Sequence, residues 1–368
     1  MATHSINVVD LDGENGFRLN GLTAGDILGF SVSNAGDING DGIDDLIIGA
    51  SRADSNGNNS GSSYVVFGND TGFGATVNLS SLDGGNGFRV DGLDANEQLG
   101  NSVGNAGDVN GDGFEDLIIG APTADSNGNE SGSTYVVFGK DTEFSATLDV
   151  SSLDGNNGFR VDGASSSAYG SFYGDFSGGR VSSAGDLNGD GYDDLIIGAS
   201  RGYNSPNPEN PITVGYVVFG KASGFSSVLQ TSSLTGSNGF RVTVPGEVAQ
   251  SSSVSNAGDI NGDGLDDLIV GINFERSYRR ITDKNDAYII FGKTSGFDSE
   301  FDLASLDGNN GFRVPTPNGD IYDTSGIQVS SAGDINGDGI DDLIIGLELS
   351  HFGGQFFHGV EKVSTCES

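Results

Sequence analysis

Residues Asp37-Ile38-Asn39-Gly40-Asp41-Gly42-Ile43-Asp44-Asp45-Leu46-Ile47-Ile48-Gly49 join two kinds of chemistry in one stretch. Numbered from Asp37, oxygen-bearing side chains stand at positions 1, 3, 5 and 9, with glycine at 6 for a sharp turn. An apolar run follows at once, short and bounded by glycine, as expected of a buried strand. Near copies begin at Asp108, Asp186, Asp259 and Asp334, so the spacings are 71, 78, 73 and 75 residues. A chain repeating at such a period is built from stacked supersecondary units.

Other strings repeat in step. NGFR starts at Asn15, Asn86, Asn157, Asn238 and Asn310, and YVVFG or YIIFG at Tyr64, Tyr135, Tyr216 and Tyr288. Each unit predicts four short strands: FRVDG, a small-residue stretch such as Ser31 to Ala35, DLIIGA, and YVVFG. All are bounded by Gly, Asn, Asp or Ser. LIIG and YVVF are apolar on both faces, which suits strands sandwiched between layers. No segment keeps a 3.6-residue apolar period, so almost no helix is expected. The expected fold is all-β, a β-propeller of four-stranded antiparallel blades with five repeat units, and a solenoid is the competing arrangement. The chain is expected to be one domain, 1–368, with units at about 5–81, 82–152, 153–233, 234–305 and 306–368. The N-terminal FRLNG strand would complete the last blade and close the ring. Unit five lacks YVVFG; its nearest counterpart is Gln355-Phe356-Phe357-His358-Gly359.

The acidic loops carry the clearest chemistry. The candidate ligands are Asp37, Asn39, Asp41, Ile43 and Asp45; Asp108, Asn110, Asp112, Phe114 and Asp116; Asp186, Asn188, Asp190, Tyr192 and Asp194; Asp259, Asn261, Asp263, Leu265 and Asp267; Asp334, Asn336, Asp338, Ile340 and Asp342. The residue at position 7 of each set would offer its backbone carbonyl. Six or seven oxygens with no sulfur or imidazole suit Ca²⁺ and argue against zinc or copper. Position 12 is Ile48, Ile119, Ile197, Val270 or Ile345, so these are not EF-hands, and Asp at position 9 replaces the missing Glu. Three carboxylates ~5 Å apart repel by roughly 3 kcal/mol per pair at an effective dielectric of 20. Up to five Ca²⁺ are therefore expected, with affinities on the order of 10⁻⁴–10⁻³ M. The acidic residue at position 8 (Asp44, Glu115, Asp193, Asp266, Asp341) points the other way on its strand, as a supporting or solvated charge.

The NGDGxxDLIIGA strings, with Phe-Gly at Phe67-Gly68, Phe138-Gly139, Phe219-Gly220 and Phe291-Gly292, resemble FG-GAP repeats, the units of the integrin α-subunit N-terminal propeller. The resemblance runs from about residue 15 to 346, and Gly120-Ala121-Pro122 spells GAP itself. It implies Ca²⁺-binding loops and a seven-bladed propeller used in cell adhesion and ligand binding. Here Asn replaces Asp at position 3, and the units number five. Acidic arrays of this kind also resemble parts of bacterial secreted proteins, which implies export by a C-terminal signal.

Composition bounds the rest. Of 368 residues, 52 are acidic and 16 basic, for a net charge of -36, which excludes a phosphate-binding surface and so nucleic acid as a partner. There is no apolar run long enough for a transmembrane helix and no secretory n-region or h-region at the N-terminus. Cys366 stands alone, so rigidity outside the cell would come from calcium rather than disulfides. The basic stretch Arg276, Tyr278, Arg279 and Arg280 is the candidate ligand contact, on a variable loop of an otherwise acidic chain. Asp12, Asp83, Asp154, Asp307 and Thr235 in the LDGxNGFR strings read as turn formers. No nucleophile elbow, HExxH or P-loop occurs, and His4, His351 and His358 stand outside the repeated motifs. The expected function is a secreted or surface adhesion or ligand-binding module for a protein or carbohydrate. The alternatives are a hydrolase or lyase using the central face, or a fragment of a larger secreted repeat protein.

Overall fold

A computed structural model describes residues 7–164, 174–199, 212–244, 249–274, 286–315, 326–347 and 360–363. Among these residues there is no α-helix, and 3₁₀ turns interrupt the strands.

A short strand β1 (Arg18–Leu19) precedes the first blade. Blade one contains β2 (Leu28–Gly36), β3 (Asp45–Ala50) and β4 (Ser62–Val66). After β5 (Thr76–Val77) it is completed by β6 (Gly87–Asp91). Blade two contains β7 (Ser102–Gly107), β8 (Asp116–Ala121) and β9 (Ser133–Val137), then β10 (Thr147–Asp149) intervenes before β11 (Gly158–Asp162). Blade three contains β12 (Arg180–Gly185), β13 (Asp194–Gly198) and β14 (Ile212–Val218), then β15 (Val228–Gln230) and its fourth strand β16 (Gly239–Val244). Blade four contains β17 (Ala249–Gly258), β18 (Asp267–Phe274) and β19 (Asp286–Ile290), then β20 (Glu300–Asp302) and β21 (Gly311–Pro315). Blade five contains β22 (Ile327–Gly333), β23 (Asp342–Leu347) and β24 (Val360–Val363).

Within each blade consecutive strands pair antiparallel, so the expected β-propeller blades are present. The innermost strands β2, β7, β12, β17 and β22 lie side by side in chain order, which sets the blades in sequence around an axis.

Three features depart from the sequence expectation. First, the repeat and the blade are out of phase by one strand. NGFR opens the repeat in sequence, yet β6, β11, β16 and β21 are the fourth strands of the blades before it. Second, each repeat adds a short strand that no motif announced. β10, β15 and β20 pair in parallel with β6, β11 and β16 of the preceding blade, and β5 pairs likewise with β1. Third, the last blade takes Val360–Val363 as its third strand, opposite β23, whereas the Gln355–Gly359 counterpart lies outside the described residues. The described β1 pairs with β5 and not with β24.

The cores lie between blades. One cluster joins Ile47, Val65, Phe88 and Val90 of blade one to Val103, Leu117, Ile119 and Tyr135 of blade two. Equivalent clusters join blades two to three, three to four and four to five. This is why LIIG and YVVF are apolar on both faces: each faces a different neighbour. Each buried NGFR phenylalanine stacks on a phenylalanine that follows the third strand of the next blade, with Phe88 against Phe144 at 4.4 Å and Phe240 against Phe297 at 4.5 Å between centroids. Lys140, Lys221 and Lys293 cover the outer ring of three such stacks at 4.5–4.7 Å.

Candidate metal centre

Each acidic loop connects the first strand of a blade to the second. The Asp37 carboxylate accepts the Asp41 and Gly42 N–H groups at 3.0 and 2.8 Å. Asn39 Oδ1 also accepts from the Asp41 N–H, and Asp41 Oδ1 accepts from the Ile43 N–H. Gly40 and Gly42 both take positive φ, the left-handed conformation that a side chain would oppose. Positions 1, 3 and 5 are thus held by the loop's own amides. The position 1 and position 5 bonds recur in the other four loops, and the position 3 bond recurs in loops two and four.

Position 9 behaves differently. Asp45, Asp116, Asp194 and Asp267 are fully buried at the start of their strands. Each carboxylate bridges two backbone amides. Asp116 accepts from Val109 at 3.0 Å and from Gly139, the glycine of Phe-Gly, at 2.9 Å. Asp45 accepts from Ile38 and Gly68, Asp194 from Leu187 and Gly220, and Asp267 from Ile260 and Gly292. The position 9 aspartate therefore ties its loop to the end of the third strand. None of the four ion pairs among the described residues involves it. Burial pushes these carboxyls up, to about 7 for Asp45 and Asp267 and about 8 for Asp116 and Asp194. The amides oppose that rise, and the aspartates at positions 5 and 1 add to it.

Among the described residues, no three His, Cys, Asp or Glu side chains converge as a preassembled metal cluster. The donor chemistry nonetheless fits a hard cation. Every carboxylate oxygen that accepts one N–H keeps a further lone pair. In loops four and five the Asn261 and Asn336 side-chain amides turn their N–H toward Asp267 and Asp342, placing a partial positive charge beside that carboxylate.

Position 8 joins neighbouring blades, a role the sequence left open between support and solvated charge. Asp193 accepts the Asp108 N–H at 2.8 Å, Asp266 that of Asp186 at 2.9 Å, and Asp341 that of Asp259 at 3.0 Å. Each carboxylate thus caps the first residue of the preceding blade's loop. The Lys140, Lys221 and Lys293 N–H groups add bonds to the position 2 carbonyls of Ile38, Val109 and Leu187.

A second set of acids was missed in the sequence. Glu97 is buried and accepts the Tyr135 hydroxyl as well as the Leu93 and Asp94 N–H groups. Asp175 accepts the Tyr216 hydroxyl and the Ala164 N–H. Desolvation raises both carboxyls, Asp175 to about 6, and both tyrosines rise as well. The tyrosine of YVVFG was legible; its acidic partner, in the less regular connection between blades, carried no motif. Asp12, Asp83, Asp154, Asp307 and Thr235 all sit in turns as expected, and Asp83, Asp154 and Asp307 accept the N–H two residues on. Arg276, Tyr278, Arg279 and Arg280 lie outside the described residues.

Blades sharing one core with each neighbour, each with an acidic loop between its first two strands, define a β-propeller repeat protein. The FG-GAP repeat family model matches residues 28–66, 99–137, 178–214 and 251–290, which are the inner three strands of blades one to four. The chain is an FG-GAP repeat protein with integrin-α-like repeats. It is similar to integrin alpha-4 of Xenopus laevis, 31% identical over 188 residues, covering 50% of this chain and 15% of the relative. It is also similar to integrin alpha pat-2 of Caenorhabditis elegans, 29% identical over 67% of this chain and 18% of the relative. Integrin alpha-V of Gallus gallus is 28% identical over 66% of this chain and 20% of the relative. The chain thus spans at most a fifth of the length of these relatives.

Proposed function

We propose that the chain is a calcium-loaded, non-enzymatic ligand-binding or adhesion module that works at a cell surface or in the matrix. Its partner is a protein or carbohydrate. Residues 1–368 act as one domain, with up to five Ca²⁺ held one per loop. In loop two the ligands are the side-chain oxygens of Asp108, Asn110, Asp112 and Asp116 with the carbonyl of Phe114, and the other loops use the equivalent residues. Bound calcium would supply the positive charge that these carboxylates lack, and would take the net charge from -36 to -26 with five ions.

The observation that carries the proposal is the buried position 9 carboxylate, present four times without a cationic partner in its hydrogen bonds or ion pairs. Two amides offset that charge in part, and a buried carboxylate with no cation beside it remains costly. Similarity to proteins named integrin alpha supports the adhesive role. The basic stretch Arg276, Tyr278, Arg279 and Arg280 is proposed as a ligand contact on sequence grounds.

Calorimetric titration with CaCl₂ tests the metal. Binding with a parallel rise in melting temperature is expected. A melting curve indifferent to both calcium and chelator would refute it.

A further inference from the structure

A hydrogen-bonded path joins the acidic loops of blades one to four. The peptide unit at position 2 of a loop is used on both sides. Its N–H donates to the loop's own position 9 carboxylate, Ile38 to Asp45, Val109 to Asp116 and Leu187 to Asp194, at 3.0–3.2 Å. Its C=O accepts an N–H of the following blade, that of Lys140, Lys221 or Lys293, at 2.9 Å. The residue before each lysine is the glycine of Phe-Gly, and its N–H donates to the position 9 carboxylate of that following blade. Each buried carboxylate is thus one peptide unit and one Gly-Lys pair away from the next.

Two side chains cross the same boundary. Asp193 accepts the Asp108 N–H and returns its own N–H to the Asp108 carbonyl at 3.3 Å. Asp341 clasps Asp259 in the same way, at 3.0 and 3.2 Å, and Asp266 caps Asp186. The position 7 side chain packs on the position 4 glycine of the preceding loop. A methyl group on Gly40 would lie 2.3 Å from the Phe114 ring, and one on Gly111 would lie 2.2 Å from the Tyr192 ring. Every one of these contacts ties a residue at or beside a candidate ligand in one loop to its counterpart in the next.

Such contacts act on the ordering of a loop. To hold a cation, a loop must fix positions 1, 3, 5, 7 and 9 in one arrangement, and the entropy lost opposes binding. A following loop that is already ordered holds position 1 by its cap, position 2 through the lysine amide of its blade, and position 4 by packing. Less is then left to order.

We propose that calcium loops of adjacent blades bind cooperatively, an ordered loop raising the affinity of the loop in the preceding blade, with Asp193, Asp266 and Asp341 as the positioning residues. The inference rests on the calcium reading above. The coupling is reciprocal, as linkage requires.

Loop three can report its own occupancy, because Tyr192 is the only tyrosine at position 7 and a tyrosine beside bound Tb³⁺ sensitises its luminescence. The whole chain is titrated with TbCl₃ at about 0.15 M salt, where charges more than about 8 Å apart are largely screened. The signal should be displaced by CaCl₂ and lost in Tyr192→Phe. Asp263→Ala removes an exposed ligand from loop four and should raise the half-saturating terbium concentration of loop three at least about fivefold. Charge alone predicts the opposite sign, since a loop four without its cation is more negative and would draw terbium into loop three more tightly. Asp266→Ala keeps every loop four ligand, removes the cap on Asp186, and should weaken loop three likewise. Asp266→Asn keeps an acceptor oxygen and should restore it. Melting curves in chelator that match the parent would show that the variants fold, and Asp263→Ala tests the coupling even where Asp266→Ala does not fold. A loop three midpoint unchanged or lowered by Asp263→Ala would overturn the coupling and leave the calcium reading standing. A loop three weakened by Asp263→Ala but indifferent to Asp266→Ala would overturn the role of position 8. A parent chain with no Tyr192-dependent, calcium-displaceable signal would overturn the calcium reading itself, and the coupling with it.

Discussion

Replacing Asp116 by Asn separates the two roles assigned to the position 9 carboxylate. Asp116 is fully buried and accepts two amides, one through each oxygen. Asparagine has nearly the same shape but one acceptor oxygen, so its NH₂ must face either Val109 N–H or Gly139 N–H. A buried donor left unpaired costs about 1–3 kcal/mol. That loss is expected in chelator, where no cation contributes. In calcium at about 100-fold above the dissociation constant, an intact site adds about 2.7 kcal/mol, and the variant should lose that share as well. Urea unfolding followed by the β-sheet circular dichroism signal, with chelator and with saturating calcium, gives both numbers, and calorimetry should count one site fewer. Asp12→Asn serves as the control, since that side chain lies in an exposed turn; a change within about 0.5 kcal/mol is expected. Should Asp116→Asn gain as much from calcium as the parent chain, Asp116 is not a ligand. Should it lose nothing in chelator, the account of the bridged amides is wrong.

Three further outcomes are expected. Tyr135→Phe removes the hydroxyl that Glu97 accepts and should cost about 1.5–3 kcal/mol in the same unfolding assay; a neutral result would show that water replaces it. In chelator, the deficit of Asp175→Asn should be larger at about pH 4.5 than at about pH 7.5. The folded Asp175 carboxyl is raised from 3.8 to about 6 by burial, so its stabilising contribution is complete below 3.8 and is lost as pH rises through about 6. A deficit that grows with pH would reverse that sign. Gly120→Ala should destabilise by about 1–3 kcal/mol, because the new Cβ would lie 2.0 Å from the Gly178 carbonyl oxygen of the next blade; tolerance within about 0.5 kcal/mol would mean that the blades are not in close contact there.

The four strands of each unit were legible because their patterns are local. DLIIGA and YVVFG carry β-branched and aromatic residues between glycines, and each forms a strand where expected. The turns at Asp83 and Asp154 were legible for the same reason, since an Asx turn closes on the amide two residues on. The short strands β10, β15 and β20 were not. Each has three residues and exists through its parallel partner in the previous blade.

The acidic loops divide the same way. Positions 1, 3, 5 and 9 were recognisable from spacing, and the sequence alone determined which residue types recur, at what period, and that their oxygens suit a hard cation. Tertiary structure alone decided that position 9 is buried across two amides and that position 8 caps the neighbouring blade. The physical reason is range. Turn chemistry and strand propensity are set by a few adjacent residues, whereas burial and capping depend on what another blade, some 70 residues away, places against them.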